Sequence, residues 1–202
     1  FKLKDEKISK RFVESRGIYN ILKYLVRSFQ KPSDYLRILN KKNIDRITCN
    51  YINHYNDADV LLALAGVSLK AGKKIIENNK IYICERSSAH IAYQNDLLAD
   101  EYKELNDKKK YIIHNWLIEN EIKEYEKASI ILVPSNFVKN TFDKSTIHKT
   151  KVLGFGSNID NFFPNAKIMK SQNYFDVLFI GQKSVRKGLH YLINAFNKFK
   201  HP

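Results

Sequence analysis

The sequence predicts an α/β fold in which a parallel β-sheet is covered by helices on both faces. Short apolar segments rich in Ile, Leu and Val alternate along the chain with longer segments whose apolar residues have helical spacing. Hydrophobic residues make up 44% and aromatic residues 12% of the 202 residues, which is enough for a sizeable core. This composition excludes a chain that is disordered throughout.

The first 31 residues form a strongly basic segment. They contain nine Lys or Arg and three Asp or Glu, a net charge of +6, and their apolar residues between Phe12 and Phe29 recur at helical spacing. We interpret this segment as a surface helix that packs its apolar side on a core and ends at Pro32. The alternative is a basic amphipathic helix that lies on an anionic membrane surface through residues 7–31.

After the basic segment, strands and helices alternate. Strands are predicted at 59–64, 81–84, 129–133 and 151–153, and helices at 68–78, 90–105, 119–127 and 136–142. Such an order is typical of βαβ units, whose strands are parallel. Because ligands bind at the carboxyl ends of the strands in these sheets, the segments that follow each strand are the candidates for a site.

The pattern changes near Pro164. The residues that follow are polar and lack periodicity, which indicates a linker. A new strand at 176–180, a turn at Gly181 and a helix at 189–199 come next, and one strand with one helix cannot bury a core alone. We therefore expect three parts: a first domain at 1–164, a linker at 165–173 and, at 174–202, the start of a second domain.

Charge and cysteine content narrow the function classes. The net charge of +14 and the pI near 9.6 favour contact with polyanions such as nucleic acid, anionic lipid or phosphorylated ligands. Two cysteines, Cys49 and Cys84, are too few for a disulfide framework or a zinc site and favour a reduced, cytoplasmic compartment. No apolar run approaches the ~20 residues that cross a bilayer, so we expect any membrane contact to be peripheral.

Two further patterns have simpler interpretations. Asp57-Ala-Asp59 matches the Asp-x-Asp pattern of some divalent-metal sites. It directly precedes a strand, where Asp commonly caps or turns the chain, so we predict no metal site. The basic run 108–110, close to Tyr111 and Trp116, could contact nucleic acid through charge and stacking. Without a recognisable nucleic-acid-binding fold, we interpret it as a solvated loop.

The segment at 178–196 has the features of an anion site. It combines a predicted strand, a glycine turn that carries Lys183, Arg186 and Lys187, and the start of a helix. Backbone N–H groups, the helix dipole and the three cations together suit a diphosphate. The alternative is a solvated basic turn.

Three segments of the chain resemble the retaining GT-B glycosyltransferases of glycosyltransferase family 4. They occur in the family's order within residues 119–202: EKASIILVPSNFV at 126–138, FGSNIDNFFP at 155–164 and FIGQKSVRKGLHYLINAF at 179–196. The stretch CERSSAHIAYQ at 84–94 is similar more loosely. The chain departs from the family pattern at Gln182, where many relatives have Arg, and at Asn158 and Ser129, where Asp is usual.

The resemblance implies a donor-binding group of residues. Lys187 matches the lysine that pairs with the donor diphosphate, and Arg186 lies beside it in the sequence. Lys183 would substitute for the arginine that the chain lacks. Gly181 matches a glycine that allows close approach of the donor, and Gly156 matches a glycine that faces the cleft between the two domains.

The looser match implies residues on the opposite wall of that cleft. Ser87, Ser88 and His90 follow the strand at 81–84, so they should lie at the carboxyl edge of the sheet, where the cleft opens. The family has a histidine in a comparable position beside the donor sugar, which makes His90 the candidate catalytic residue. It would hydrogen-bond a sugar hydroxyl or stabilise charge near the reacting centre. The alternative is a histidine at a helix start that is bonded to the local backbone.

As the resemblance implies, the protein would be a GT-B glycosyltransferase with a Rossmann-like N-terminal domain and the first strand and helix of a second Rossmann-like domain. It would transfer a sugar with retention from a nucleotide-diphosphate-sugar donor to a glycan or lipid-linked acceptor in polysaccharide biosynthesis, without a metal or other cofactor. We expect it in the cytoplasm, peripheral at the inner face of the membrane. This piece should be nearly inactive alone, because the family's paired-glutamate donor motif lies further along the second domain. The alternative is a non-catalytic basic module that binds nucleic acid or anionic membrane.

Overall fold

The computed structural model describes residues 34–55, 57–106, 113–157, 160 and 175–199. Contacts divide the chain between Asn43 and Ile44 into two units, and the first unit is described from Asp34 onward, where it is helical. The predicted helix between Phe12 and Phe29, the membrane-facing residues 7–31 and the linker at 165–173 lie outside the described residues.

Helices and strands alternate in the described chain. The helices are α1 Asp34–Tyr55, α2 Leu69–Glu77, α3 Ile91–Glu104, α4 Asn115–Lys127, α5 Asn136–Lys139 and α6 Leu189–Lys198. The strands are β1 Val60–Leu64, β2 Ile81–Glu85, β3 Ile130–Val133 and β4 Thr150–Val152. Short 3₁₀ turns at Ile147–Lys149 and Val185–Lys187 precede β4 and α6.

The four strands form one parallel sheet in the order β1-β2-β3-β4. Each strand pairs with the next in the sequence: Ile83 lies opposite Ile130, and Leu132 lies opposite Lys151. The predicted α/β class with a parallel sheet is therefore confirmed, and the arrangement is consistent with a Rossmann-like fold.

The two faces of the sheet differ in burial. Tyr82, Cys84 and Ile131 point to one face and are fully buried, and α2 and α4 pack against β2 there and against each other. Leu62 and Leu64 point to the opposite face and are 58% and 59% exposed. Parallel crossovers are right-handed, so strands added in sequential order place their connecting helices on one face. Within the described residues, the expected helical cover on both faces is therefore not found.

One helix was not predicted, and two predicted elements differ from the structure. Helix α1 was not predicted, because its sequence is rich in Asn and Lys and has little apolar periodicity. The segment at 176–180 has no regular secondary structure, although a strand was predicted there. Leu178 and Ile180 are at least 80% exposed, and no described strand lies beside them to complete a ladder of hydrogen bonds. The helix predicted at 136–142 ends at Lys139.

Candidate functional site

Three of the predicted segments meet at the carboxyl edge of the sheet. The ladder continues beyond the strand ends, because the Arg86 N–H donates to the Leu132 carbonyl at 2.8 Å and the Leu153 N–H donates to the Val133 carbonyl at 2.8 Å. A cavity of about 20 Å³, the size of about one water molecule, is lined there by Glu85, Arg86, Ser87, Leu132, Val133, Pro134, Leu153 and Phe155. The strands thus bring together Ser87, the start of the Pro134-Ser135 turn and the residue before Gly156.

The Arg86 side chain holds the turn that follows β2. Its guanidinium forms a 2.8 Å ion pair with Glu121 of α4, and the two side chains are only 13% and 5% exposed. The same guanidinium donates to the Ala89 carbonyl at 3.1 Å and to the Gln94 side-chain oxygen at 3.2 Å. Ser88 Oγ donates to that Gln94 oxygen at 3.0 Å. Arg86 therefore fixes the chain between the strand and α3, which carries Ser88.

His90 lies at the amino end of α3 as its N-cap residue. Its backbone N–H donates to Thr141 Oγ1 at 2.9 Å, and its carbonyl accepts from the Gln94 N–H at 2.9 Å. The imidazole makes no capping hydrogen bond and packs against the rings of Tyr125 and Phe142, and the three ring centroids lie 5.1 Å from one another. The backbone of His90 therefore forms the helix start, while its half-buried ring is fixed by aromatic packing.

The environment of His90 favours the neutral imidazole. Burial lowers the pKa of His90 below its ordinary value, the Asp143 carboxylate opposes this by raising the pKa, and the Arg86 guanidinium lowers it. A neutral imidazole has one N–H donor and one acceptor nitrogen, so it can contact a sugar hydroxyl through either. Ser87, Ser88 and His90 all lie in the connection between β2 and α3, and a cleft that all three line stays a prediction.

The predicted basic turn forms a compact, exposed unit. Lys183 precedes the 3₁₀ turn Val185–Lys187, and Gly188 adopts a left-handed conformation, with φ +69°, that leads directly into α6. Lys183, Arg186 and Lys187 are exposed. In the part of the chain that the structure describes, no ion pair joins any of the three to a carboxylate.

The two predicted site glycines have little contact with other residues. A Cβ at Gly181 would lie 3.4 Å from the Phe179 ring, which is ordinary contact, and a Cβ at Gly156 would meet nothing within 4 Å. Neither residue adopts the left-handed backbone that favours glycine. The described chain thus gives no internal reason for glycine at these positions.

The basic turn and His90 are not brought into contact. The turn packs against α3, and the Tyr191 hydroxyl donates to Glu101 Oε1 at 2.6 Å, while His190 Nε2 lies 3.5 Å from Glu101 Oε2. Glu101 is near the carboxyl end of α3, about 16 Å along the helix from His90. A single site that contains both groups stays a prediction.

Sequence reasoning missed the carboxylates at the amino end of α2. Glu124 is fully buried and accepts hydrogen bonds from the Gly66 and Ser68 N–H groups, the second at 2.8 Å. Asp45 accepts from the Lys70 and Ala71 N–H groups at 2.9 Å each. A Glu on a predicted helix gives no signal of a partner 56 residues away in the sequence.

No metal site is found among the described residues. Asp57 and Asp59 precede β1, and no group of three or more His, Cys, Asp or Glu in the described ranges is arranged to hold an ion. None of the described helices is both long enough and apolar enough to span a bilayer.

In comparisons with known proteins, no family model, no curated protein and no solved structure matched this chain.

Proposed function

We propose that this chain belongs to a retaining glycosyltransferase of GT-B type, in which the described sheet is part of the acceptor-side domain. The observation that carries the proposal is the convergence of three motif-bearing segments at one sheet edge: Ser87 after β2, Pro134 after β3 and Phe155 after β4. In open parallel sheets this edge is where ligands bind. The reaction would move a sugar from a nucleotide diphosphate to a glycan or lipid-linked acceptor.

His90 would act on the transferred sugar. Its ring is held by Tyr125 and Phe142, and the turn that carries it is fixed by the buried Arg86–Glu121 pair. A rigid, neutral imidazole can hydrogen-bond a sugar hydroxyl with little loss of side-chain entropy on binding. Ser87 is exposed and lines the cavity, and its hydroxyl would offer a second hydrogen-bonding group to the same ligand.

The leaving diphosphate would bind at the basic turn. Lys187 and Arg186 are exposed cations without an ion-pair partner among the described residues, and they directly precede the amino end of α6. Cations at a helix amino end are unfavourable without an anion, because the helix dipole has the same sign there. Charge-assisted hydrogen bonds from these groups would stabilise the charge that develops on the diphosphate, and no metal ion would be required for that.

The proposal is tested by nucleotide-sugar binding to the full-length product of the gene that encodes this chain. Calorimetry with a panel of nucleotide sugars should identify one donor. Lys187→Ala should weaken its affinity by about tenfold or more, as expected for a hydrogen bond to a charged group. Lys198→Ala is the matched control, since it removes an equally exposed lysine from the other end of α6. Unchanged affinity in Lys187→Ala, or an equal loss in the control, would contradict the diphosphate assignment.

A second candidate function rests on the net charge of +14. A non-catalytic basic module would bind anionic membrane or nucleic acid through counterion release, with steep salt dependence. The same protein should then bind anionic vesicles or single-stranded nucleic acid and none of the nucleotide sugars. That result would replace the enzyme proposal with this one.

A further inference from the structure

The turn between β1 and α2 contains a buried carboxylate. Glu124 of α4 has no exposed surface, and its two oxygens accept hydrogen bonds from the N–H groups of Gly66 and Ser68. The Asn120 side chain donates to the same carboxylate at 3.0 Å. Three N–H donors, two from the turn and one from α4, therefore surround this carboxylate at the end of β1.

Asp45 completes the amino end of α2. Its two oxygens accept from the N–H groups of Lys70 and Ala71, each at 2.9 Å. The N–H groups in the first turn of a helix have no partner within the helix, and the helix dipole makes this end positive. Two internal carboxylates thus bind the donors that would otherwise be open to a ligand.

In open parallel sheets, ligands bind outside the carboxyl ends of the strands, and backbone N–H groups at a helix amino end bind phosphate. We infer that the turn between β1 and α2 is an anion site closed by Glu124, so that phosphorylated ligands, nucleotides included, do not bind at this turn. The inference goes beyond the proposed function and does not depend on it, since it concerns what this turn excludes.

The first test is the stability of variants at position 124. Glu124→Gln keeps the size of the side chain but places an NH₂ group against N–H donors, so its thermal midpoint should fall by on the order of 5 °C. Glu124→Ala should fall further and should recover part of the loss in sodium formate or acetate, relative to sodium chloride of equal ionic strength. Glu119→Ala is the matched control, because Glu119 lies on the same helix and is exposed.

The second test follows the Gly66 and Ser68 amide signals by NMR. In the wild-type chain these signals should not move when millimolar pyrophosphate is added. In Glu124→Ala they should move with formate or acetate. The inference is overturned if pyrophosphate shifts both amides in the wild type, if Glu124→Gln is as stable as the wild type, or if no small anion stabilises Glu124→Ala more than the Glu119→Ala control. Should Glu124→Ala not fold, the wild-type titration and the Gln variant still decide the question.

Discussion

Two buried carboxylates on α4 organise the carboxyl edge of the sheet. Glu121 and Glu124 are one helical turn apart and face different positive partners: the Arg86 guanidinium after β2 and the amino end of α2 after β1. Buried like charges are tolerated only where each is compensated. Removing one partner leaves a charge buried alone, which costs about 3–5 kcal/mol. Glu121 and Glu124 therefore hold the turns that follow β2 and β1.

The titration of His90 provides a prediction at the residue scale. Burial keeps the pKa of His90 below its ordinary value of 6.5. Asp143→Asn removes the carboxylate that opposes this effect, so the pKa should fall further, whereas Arg86→Gln removes a nearby positive charge, so it should rise. The shift of the His90 ring protons with pH, followed by NMR, measures all three values.

The lowered pKa of His90 also determines the direction in which the free energy of unfolding changes with pH. His90 takes up its proton at a lower pH in the folded state than in the unfolded chain. The contribution of the neutral His90 ring to the free energy of unfolding is therefore fully present above about pH 6.5 and is lost as the pH falls through the folded pKa. A His90→Gln variant should lack this component. If the two charge variants shift the pKa in the same direction, the proposed surroundings of the ring are wrong.

At the residue scale, the place of a site residue in the order of strands and helices was easier to predict from the sequence than its contacts. His90 was expected at the carboxyl edge because it follows an apolar strand; it lies after β2 at the start of α3, while the cavity described at that edge is lined by Ser87 and does not include His90. Its aromatic neighbours and the Arg86–Glu121 pair were not predicted, since the paired residues are 35 positions apart. Contacts at that separation depend on how helices pack on the sheet, which no local pattern encodes.

At the scale of elements, α2 approaches the sheet through a glycine. A Cβ on Gly72 would lie 2.5 Å from Cε1 of Tyr82, whose ring is fully buried and whose hydroxyl is 2.7 Å from Ser68 Oγ. The ring is thus held at both ends and cannot move aside. Glycine is required at this position by close packing and not by its backbone angles.

Gly72→Ala tests this helix–sheet contact. Overpacking costs typically 1–3 kcal/mol, and a contact of 2.5 Å to a buried ring places this site at the upper end of that range. Alanine recovers about 1 kcal/mol of helix propensity, so the free energy of unfolding should fall by about 2 kcal/mol. Gly154→Ala, where a Cβ meets nothing within 4 Å, should change it by less than about 0.5 kcal/mol. Urea denaturation of the two variants measures the difference. Equal stability of both would show that α2 and β2 are further apart than described.

Element types were predicted where the apolar pattern was strong. The four strands of the sheet and helices α2, α3 and α4 were all expected, with ends displaced by a few residues. The start of α5 at Asn136 was predicted, and the Ser135 side chain caps it by accepting from the Val138 N–H. The strand prediction at 176–180 was wrong for a different reason. An apolar pattern is a property of one segment, whereas a strand also needs a neighbouring strand for its backbone hydrogen bonds. The same is true of the candidate site. The segments that follow the strands were predicted, but the side chains that hold those segments in place were not.

At the scale of the whole sheet, one face is covered and the other is open within the described residues. Sequential strand order with right-handed crossovers explains why α2 and α4 both lie on the face that contains Ile131. This asymmetry could not be predicted from the sequence, because residues on both faces of β1 and β3 are apolar, as is usual when both faces are buried.

Alanine substitutions on the two faces of the sheet would measure how much each face contributes to stability. Ile131 is fully buried, so Ile131→Ala opens a cavity and the free energy of unfolding should fall by about 2–5 kcal/mol. Leu62→Ala removes a side chain that is 58% exposed, so the loss should be about 1 kcal/mol or less. Chemical denaturation of both variants gives the two values. Equal losses would mean that Leu62 is covered in solution, and the one-sided sheet would then be incorrect.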